Sequence, residues 1–324
     1  MILILSNKWD VTVDFVVKEL QNRGHPYLRI NTEDLPEVDV TTELPNFSIT
    51  VEKQGEKTEL SEEIGSIWYR RPGKPYEFAD EDKKPDQATV EYIREQWEAW
   101  LNSLQTLSGV TWINHPEDNR RMESKIHQLR LADKLGFRIP ETTVTNSGPD
   151  VLETFDRHGT VISKALSSPL ITETEQDEFV FSVHLEDPPS VDDESLKVCP
   201  TIFQEPFLPK TDYRVNVIGD TVIPVRIEAK AGEQVAVDWR TEKEAVRFVQ
   251  DSLPQKIEDL CRDFVDEAGL IFGAIDLVEV DGEYVFLEIN PNGEWGWLQK
   301  PWDIPIAEHL TDHLIEHDNE AEVQ

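Results

Sequence analysis

A chain of 324 residues with 65 acidic side chains against 31 basic ones, a net charge of −34, repels the phosphates of nucleic acid and argues against that partner. It is long enough for two or three domains with a substantial core, and no run of about 18 apolar residues offers a membrane span. Two cysteines, Cys199 and Cys261, are too few for a disulfide framework, and the start MILILSNKWD lacks the basic segment of a signal peptide, so a reducing cytoplasm is expected. The acids are spread along the chain rather than gathered in one tail. Adaptation to a salt-rich cytoplasm, where screening relieves self-repulsion, is the leading account of them; a basic peptide partner is the rival.

Residues 2–5 predict a buried strand, and Val13, Val16, Val17 and Leu20 recur at helical spacing until Gly24 stops the helix. With a second strand at 27–30 the chain starts β-α-β, a small α/β lobe, but without the Gly-rich loop of a dinucleotide site. Residues 47–59 predict a polar hairpin and 64–69 a further strand ending in Trp68-Tyr69-Arg70-Arg71-Pro72. Two adjacent arginines there could meet an anion or be paired structurally. A charged, Pro-containing loop spans 73–87. Val90, Ile93, Trp97, Trp100, Leu101 and Leu104 then mark the apolar face of a long helix, an aromatic stripe that belongs to a core. Residues 112–116 close the lobe, and His115 has no second histidine at metal spacing.

A single helix is predicted over 116–135, stopped by Gly136, with Ile126, Leu129 and Ala132 facing inward; it carries Lys125. A β-rich lobe follows, and its strand 161–165 holds Lys164 among apolar neighbours. A lysine so placed can snorkel or set an ammonium on a phosphate. Residues 173–195 are acidic and read as a loop or extended hairpin. The strand 201–204 runs into Glu205-Pro206-Phe207, where Pro206 cannot donate to a ladder. Such an abrupt end leaves backbone polar groups for an adenine edge. Asp212-Tyr213-Arg214 opens a strand that Gly219-Asp220 turns into 222–227, and Val237-Asp238-Trp239-Arg240 comes next. A helix over 255–268 packs through Ile257, Cys261, Phe264 and Val265. A last helix lies near 306–315.

The densest signal is FGAIDLVEVDGEYVFLEINPNG, residues 272–293, two apolar runs around Asp281-Gly282 that predict a β-hairpin. Unpaired carboxylates are expensive on strands this buried, yet Asp276 and Glu288 sit within them. Asn290 shares a face with Glu288 at i+2. Two carboxylates and an amide oxygen make a hard-oxygen cation site of the kind that holds Mg²⁺ against phosphates. Register tests this: a two-residue turn pairs 280 with 283 and separates Asp276 from Glu288, so a three-residue or bulged turn is predicted. The bland alternative is an edge hairpin whose acids face water.

The order of parts resembles the ATP-grasp superfamily over roughly residues 115–310: Lys125, the strand lysine Lys164, a Gln204-Glu205 hinge, Arg214 in D-x-R, Arg240, then Asp276, Glu288 and Asn290. Within it, WYRRP (68–72), WINHPEDNRR (112–121), LGFRIPETTVTN (135–146), VDWR (237–240) and FLEINPNGEWGW (286–297) are similar to the ribosomal-peptide maturases that make microviridins and other graspetides. The resemblance implies an α/β fold: a pre-ATP-grasp α/β domain (1–115), a central helix with the ATP-grasp N-lobe (116–203), and a C-lobe with the metal site (204–324). It implies ATP and Mg²⁺, two ions, with Asp276, Glu288 and Asn290 as ligands. Lys125 and Lys164 would contact phosphate, Gln204 and Glu205 would read adenine, and Phe207 would pack beside it. Glu205 or Asp212 would take the ribose. Arg214 and Arg240 would hold the transferred phosphoryl group and the acyl phosphate. Pro206 departs from the family's hinge and removes an N–H.

The activity that the resemblance implies is that of a ligase. A substrate carboxylate attacks the γ-phosphoryl group, and a hydroxyl or amine then displaces phosphate from the acyl phosphate. The substrate implied is a peptide or protein carboxylate, including a leader-bearing precursor peptide, and a homodimer is implied too. Two other outcomes stay open: an amino-acid ligase of the glutamate-adding kind, and an ATP-binding regulatory protein without turnover.

Overall fold

The computed structural model describes residues 1–76, 84–167, 170–171, 178–180, 182–230 and 238–321. By internal contacts the described residues fall into two units, those of Met1–Pro116, Leu270–Phe272 and Glu294–Gln324, and those of Glu117–Gly269 and Gly273–Gly293.

The strands of the first unit are β1 (Ile2–Ser6), β2 (Tyr27–Asn31), β3 (Val38–Glu43), β4 (Ser48–Lys53), β5 (Glu56–Glu59), β6 (Ser66–Tyr69) and β7 (Thr111–Ile113). The order β2-β1-β6-β7 makes a wholly parallel sheet, and β3-β4-β5 an antiparallel meander. Every residue of β1 is buried, as expected of a strand covered on both faces. The helices of the first half are α1 (Val11–Arg23), α2 (Leu60–Glu63) and α3 (Gln87–Ser103). Asp10 caps α1 by accepting from the Thr12 N–H (2.9 Å), and Gly24 ends it at φ 65°. In α3, Val90 is buried, while Trp97, Trp100 and Leu101 are half-buried against the core of Leu3, Ile30, Ile67 and Leu104.

The paired role is the one the arginines of WYRRP take. Arg70 lies buried on Asp10 (2.9 Å); burial, despite Asp10, brings its pKa down to about 10. Arg71 pairs with Glu294 (2.9 Å).

The second unit opens with α4 (Pro116–Met122) and α5 (Lys125–Leu135). The single helix predicted over 116–135 is therefore two. Ser124 breaks it, because its side chain accepts from the His127 N–H (3.4 Å) as the cap of a new helix. The break turns Ile126 outward, 44% exposed, while Leu129 and Ala132 remain buried. Next come β8 (Thr142–Thr145), α6 (Gly148–His158), β9 (Val161–Lys164), β10 (Leu170–Ile171), β11 (Glu178–Phe179), β12 (Val183–Leu185) and β13 (Thr201–Gln204). These give a four-stranded sheet, β12-β9-β13-β8, and a two-stranded one, β10-β11. Part of 173–195, and Val237 of the VDWR stretch, lie outside the described residues.

A five-stranded sheet follows, β16-β15-β14-β17-β18, from β14 (Thr211–Ile218), β15 (Thr221–Ala229), β16 (Val246–Gln250), β17 (Phe272–Val280) and β18 (Glu283–Asn290). Helix α7 (Gln255–Glu267) buries Cys261, Phe264 and Val265. Phe264 stacks on Phe286 of β18, ring centroids 4.9 Å apart, and Phe137 lies 5.4 Å from the same ring.

Two helices remain, α8 (Gly296–Gln299) and α9 (Ile306–Ala321). The sequence groups residues 204–324 in one lobe, whereas the contacts of α9 place it in the first unit. Ser66 donates to the Leu314 carbonyl (3.0 Å), and the buried Asp318 accepts from the Gly65 N–H (3.0 Å) and pairs with His25 (2.7 Å). The apolar stripe of α9 is periodic, but nothing in its spacing says which sheet it covers.

Candidate active site

The hairpin predicted at 272–293 is β17 and β18, and its turn is the two-residue kind. Val280 pairs with Glu283, and Asp281 and Gly282 have φ of 53° and 83°. Positive φ at both central positions suits an Asp-Gly pair in a twisted hairpin. The prediction of a three-residue or bulged turn is thus corrected, yet Asp276 still faces Glu288. Leu277 pairs with Phe286 and Asp276 with Glu288, so Leu287 is an extra residue on β18. The bulge lies in the body of the strand, and both Leu287 and Glu288 line the cleft beside Asp276. Asn290 lies opposite Ala274, and its Oδ1 accepts from the Asn292 N–H (3.0 Å).

Around this pair the second unit gathers four of the predicted cations. Asp276 accepts from Arg214 (2.7 Å) on the neighbouring strand β14 and from Arg240 (2.5 Å). Arg240 is steered by Asp238, which takes its backbone N–H (3.1 Å) and its Nη1 (3.2 Å), and its guanidinium lies 5.0 Å over the Trp239 ring. Lys125, in the first turn of α5, pairs with Glu288 (3.2 Å) and donates to the Ala165 carbonyl (3.2 Å). Lys164 lines the same cleft from β9.

The electrostatics follow from this crowding. Burial alone would raise the Glu288 carboxyl, but Lys125, Lys164 and Arg240 hold it well below the usual carboxylate range. Burial pulls Lys164 down to about 8, with Lys125 and Arg240 pushing the same way against Glu288 and Asp276. Arg240 is raised: its burial is outweighed by Asp276, Asp238 and Glu288.

The remaining predicted residues line the same cleft. Gln204, buried at the end of β13, donates Nε2 to Thr142 Oγ1 (2.8 Å), which itself donates to the Pro140 carbonyl (2.8 Å). That chain fixes the amide with Oε1 as the remaining acceptor. Glu205 accepts from the Glu141 N–H (3.3 Å), and Phe207 packs on Val278 and Val285 with the Arg138 guanidinium 5.2 Å from its ring. Asp212 is raised by burial despite Lys210, which holds its Oδ1; its Oδ2 is buried without a protein partner. Gln204, Glu205, Phe207 and Asp212 line one cleft with Lys164, Arg240, Asp276 and Glu288.

Sequence reasoning missed Thr142, Lys210, Asp238 and Gly293. The last had a signal in Pro-Asn-Gly: a Cβ there would lie 2.4 Å from that of Ala274 and 3.3 Å from Arg214 Nη2. Only glycine lets the chain pass this close to Ala274.

Residues 1–120 match the family model described as the MvdD pre-ATP grasp domain. The whole fold is similar to a RiPP-associated ATP-grasp ligase of Chryseobacterium gregarium, solved with ADP and a leader and core peptide. The two share 27% identity and a TM-score of 0.84, over 97% of this chain and 96% of that one. Macrocyclase MdnC of Microcystis aeruginosa, bound with precursor peptide MdnA, shares 27% identity and a TM-score of 0.81, over 98% and 99%. Over nearly its whole length the chain is similar to ATP-grasp ligases of the RiPP macrocyclase type. PsnB, an ATP-grasp ligase solved with a precursor variant, Mg and ADP, shares this ligase's fold at 21% identity, TM-score 0.76, over 98% of each chain. No curated protein matches the ligase in sequence.

Its donor set fits a hard cation: two carboxylates face each other across the hairpin, with the Asn290 amide two pairs further along β18. Among the described residues, no three His, Cys, Asp or Glu side chains gather as a metal cluster.

Proposed function

We propose that the ligase activates a peptide carboxylate with ATP and joins it to a side-chain hydroxyl or amine of the same precursor peptide, giving a macrocyclic ester or amide. The observation that carries this is the convergence of Lys125, Lys164, Arg214 and Arg240 on Asp276 and Glu288, at a cleft that Gln204, Glu205 and Phe207 also line. The base lies against the hinge, where Gln204 Oε1 accepts from an exocyclic amine. Asp212, with a free buried oxygen, suits a ribose hydroxyl better than Glu205, which already holds the Glu141 N–H.

Magnesium held by Asp276, Glu288 and Asn290, as two ions, would offset phosphate charge and polarise the γ-phosphoryl group. Lys125 and Lys164 hold the phosphate oxygens. The two guanidiniums, which Asp276 now holds, exchange it for oxyanions of the transferred group, to which each can bind bidentately. The peptide carboxylate then displaces ADP, and the acyl phosphate stays clamped until the hydroxyl or amine attacks its carbonyl and phosphate leaves. The chain supplies position and charge and no covalent nucleophile.

The substrate is taken to be a leader-bearing precursor peptide, the ligase a homodimer, and the acidic excess an adaptation to a salt-rich cytoplasm. Mg²⁺-dependent release of ADP and phosphate, with mass spectrometry of acceptor peptides bearing Asp or Glu with Ser, Thr or Lys, tests the reaction. Loss of one water per bond is expected. Gain of an amino-acid residue would instead establish the amino-acid ligase, and tight ATP binding without turnover a regulatory protein.

A further inference from the structure

Strand β18 ends the order of its sheet, and a bulge at Leu287 interrupts its ladder with β17. An edge strand just past a bulge is poorly held, because the extra residue is left out of the pairing and the local twist increases. Here a side chain holds it. Gln128 of α5, 3% exposed, donates Nε2 to the Ile289 carbonyl (2.9 Å) and accepts on Oε1 from the Ile289 N–H (3.1 Å). One amide thus makes both bonds that a neighbouring strand would make to that residue. Its other Nε2 proton goes to the Met122 carbonyl (2.5 Å) in the last turn of α4, so both donors and the acceptor are engaged and the amide has one orientation.

Ile289 lies between Glu288 and Asn290, two of the three oxygen donors. From the preceding turn of α5, Lys125 pairs with the Glu288 carboxylate (3.2 Å), so one helix holds both the side chain and the backbone of this segment. We infer that Gln128 is a positioning residue for the cation site, fixing the bulged edge strand so that Glu288 and Asn290 present their oxygens together. The inference rests on the reading of Asp276, Glu288 and Asn290 as metal ligands. Mg²⁺ demands near-ideal geometry at about 2.1 Å, so backbone play on β18 falls directly on the ion.

The test is direct metal binding. Free Mn²⁺ is followed by electron paramagnetic resonance in the presence of ADP, for wild type, Gln128→Leu, Gln128→Glu and Glu288→Gln. Gln128→Leu removes all three bonds; Gln128→Glu keeps the acceptor but turns an oxygen on two carbonyls. Both are expected to weaken Mn²⁺ binding at least about tenfold, as supporting partners of metal ligands do when lost. ADP binding in EDTA should stay within about twofold, because no base or phosphate contact is touched. Unchanged Mn²⁺ affinity in a folded Gln128→Leu, an equal loss of ADP binding in EDTA, or failure of both variants to fold would each overturn the inference. Glu288→Gln separates the two failures. Loss of Mn²⁺ there but not in Gln128→Leu removes only the role of Gln128, and loss in neither removes the metal assignment along with it.

Discussion

Asp276 holds two guanidiniums in the structure, and its replacement by asparagine tests what that arrangement is for. The side chains of Arg214 and Asp276 are 7% and 12% exposed, so their 2.7 Å pair belongs with buried ion pairs rather than surface ones. Removing one partner of a buried pair costs about 3–5 kcal/mol, because a charge is left uncompensated. Asp276→Asn keeps an acceptor oxygen for Arg214, so the loss falls at the low end, about 3 kcal/mol. For a unit of this size that lowers Tm by roughly 6–12 °C. In the same variant the carboxylate no longer competes with phosphate for Arg214 and Arg240. ATP measured calorimetrically in EDTA should therefore bind at least as tightly as to wild type, while Mg²⁺-dependent turnover is lost. A Tm within 1 °C of wild type (roughly 0.3–0.5 kcal/mol), or ATP binding in EDTA weakened tenfold (about 1.4 kcal/mol), would refute the exchange of Asp276 for phosphate.

Packing and charge set four further outcomes. Phe286→Ala removes the ring between Phe264 and Phe137 and should cost about 3–5 kcal/mol in denaturant unfolding, against roughly 1 kcal/mol for Phe286→Leu; equal costs would contradict the packing account. Cys199 is exposed, whereas burial pushes the Cys261 thiol up to about 12, so one thiol per native chain should react at pH 8 and two after unfolding. Between the ordinary thiol value of 9.0 and about 12 the unfolded chain binds fewer protons, so Cys261 should lower stability by about 1.4 kcal/mol per pH unit in that window, a slope Cys261→Ala abolishes. With a net charge of −34, the unfolding midpoint should rise from low to molar salt; no gain would remove the salt-adaptation account.

Much of the site was legible because its residues violate local patterns. Asp276, Glu288 and Lys164 are charges inside apolar strands, and each proves to face the cleft. The route to their meeting was not legible. Asp281-Gly282 correctly signals a two-residue turn, but a bulge at Leu287 costs no special residue type, so nothing in VFLEIN announces it. The break at Ser124 was written in the sequence as a cap, yet Met122, Ile126 and Leu129 keep helical spacing across it. Gln128 carries no signal at all: a glutamine at helical spacing is ordinary until the fold places a strand edge against it. The placement of α9 depends on pairings such as Ser66 with Leu314, which lie far apart in the chain.

The central claim is that the carboxylate is activated as an acyl phosphate in this cleft. A precursor peptide with ¹⁸O in its carboxylates, incubated with the ligase, ATP and Mg²⁺, traces the oxygen itself. Attack on the γ-phosphoryl group puts one carboxylate oxygen between carbon and phosphorus, and the second attack breaks the bond to carbon. Each crosslink should therefore release one inorganic phosphate carrying one ¹⁸O from the peptide. Crosslinked product accompanied by unlabelled phosphate would contradict the account.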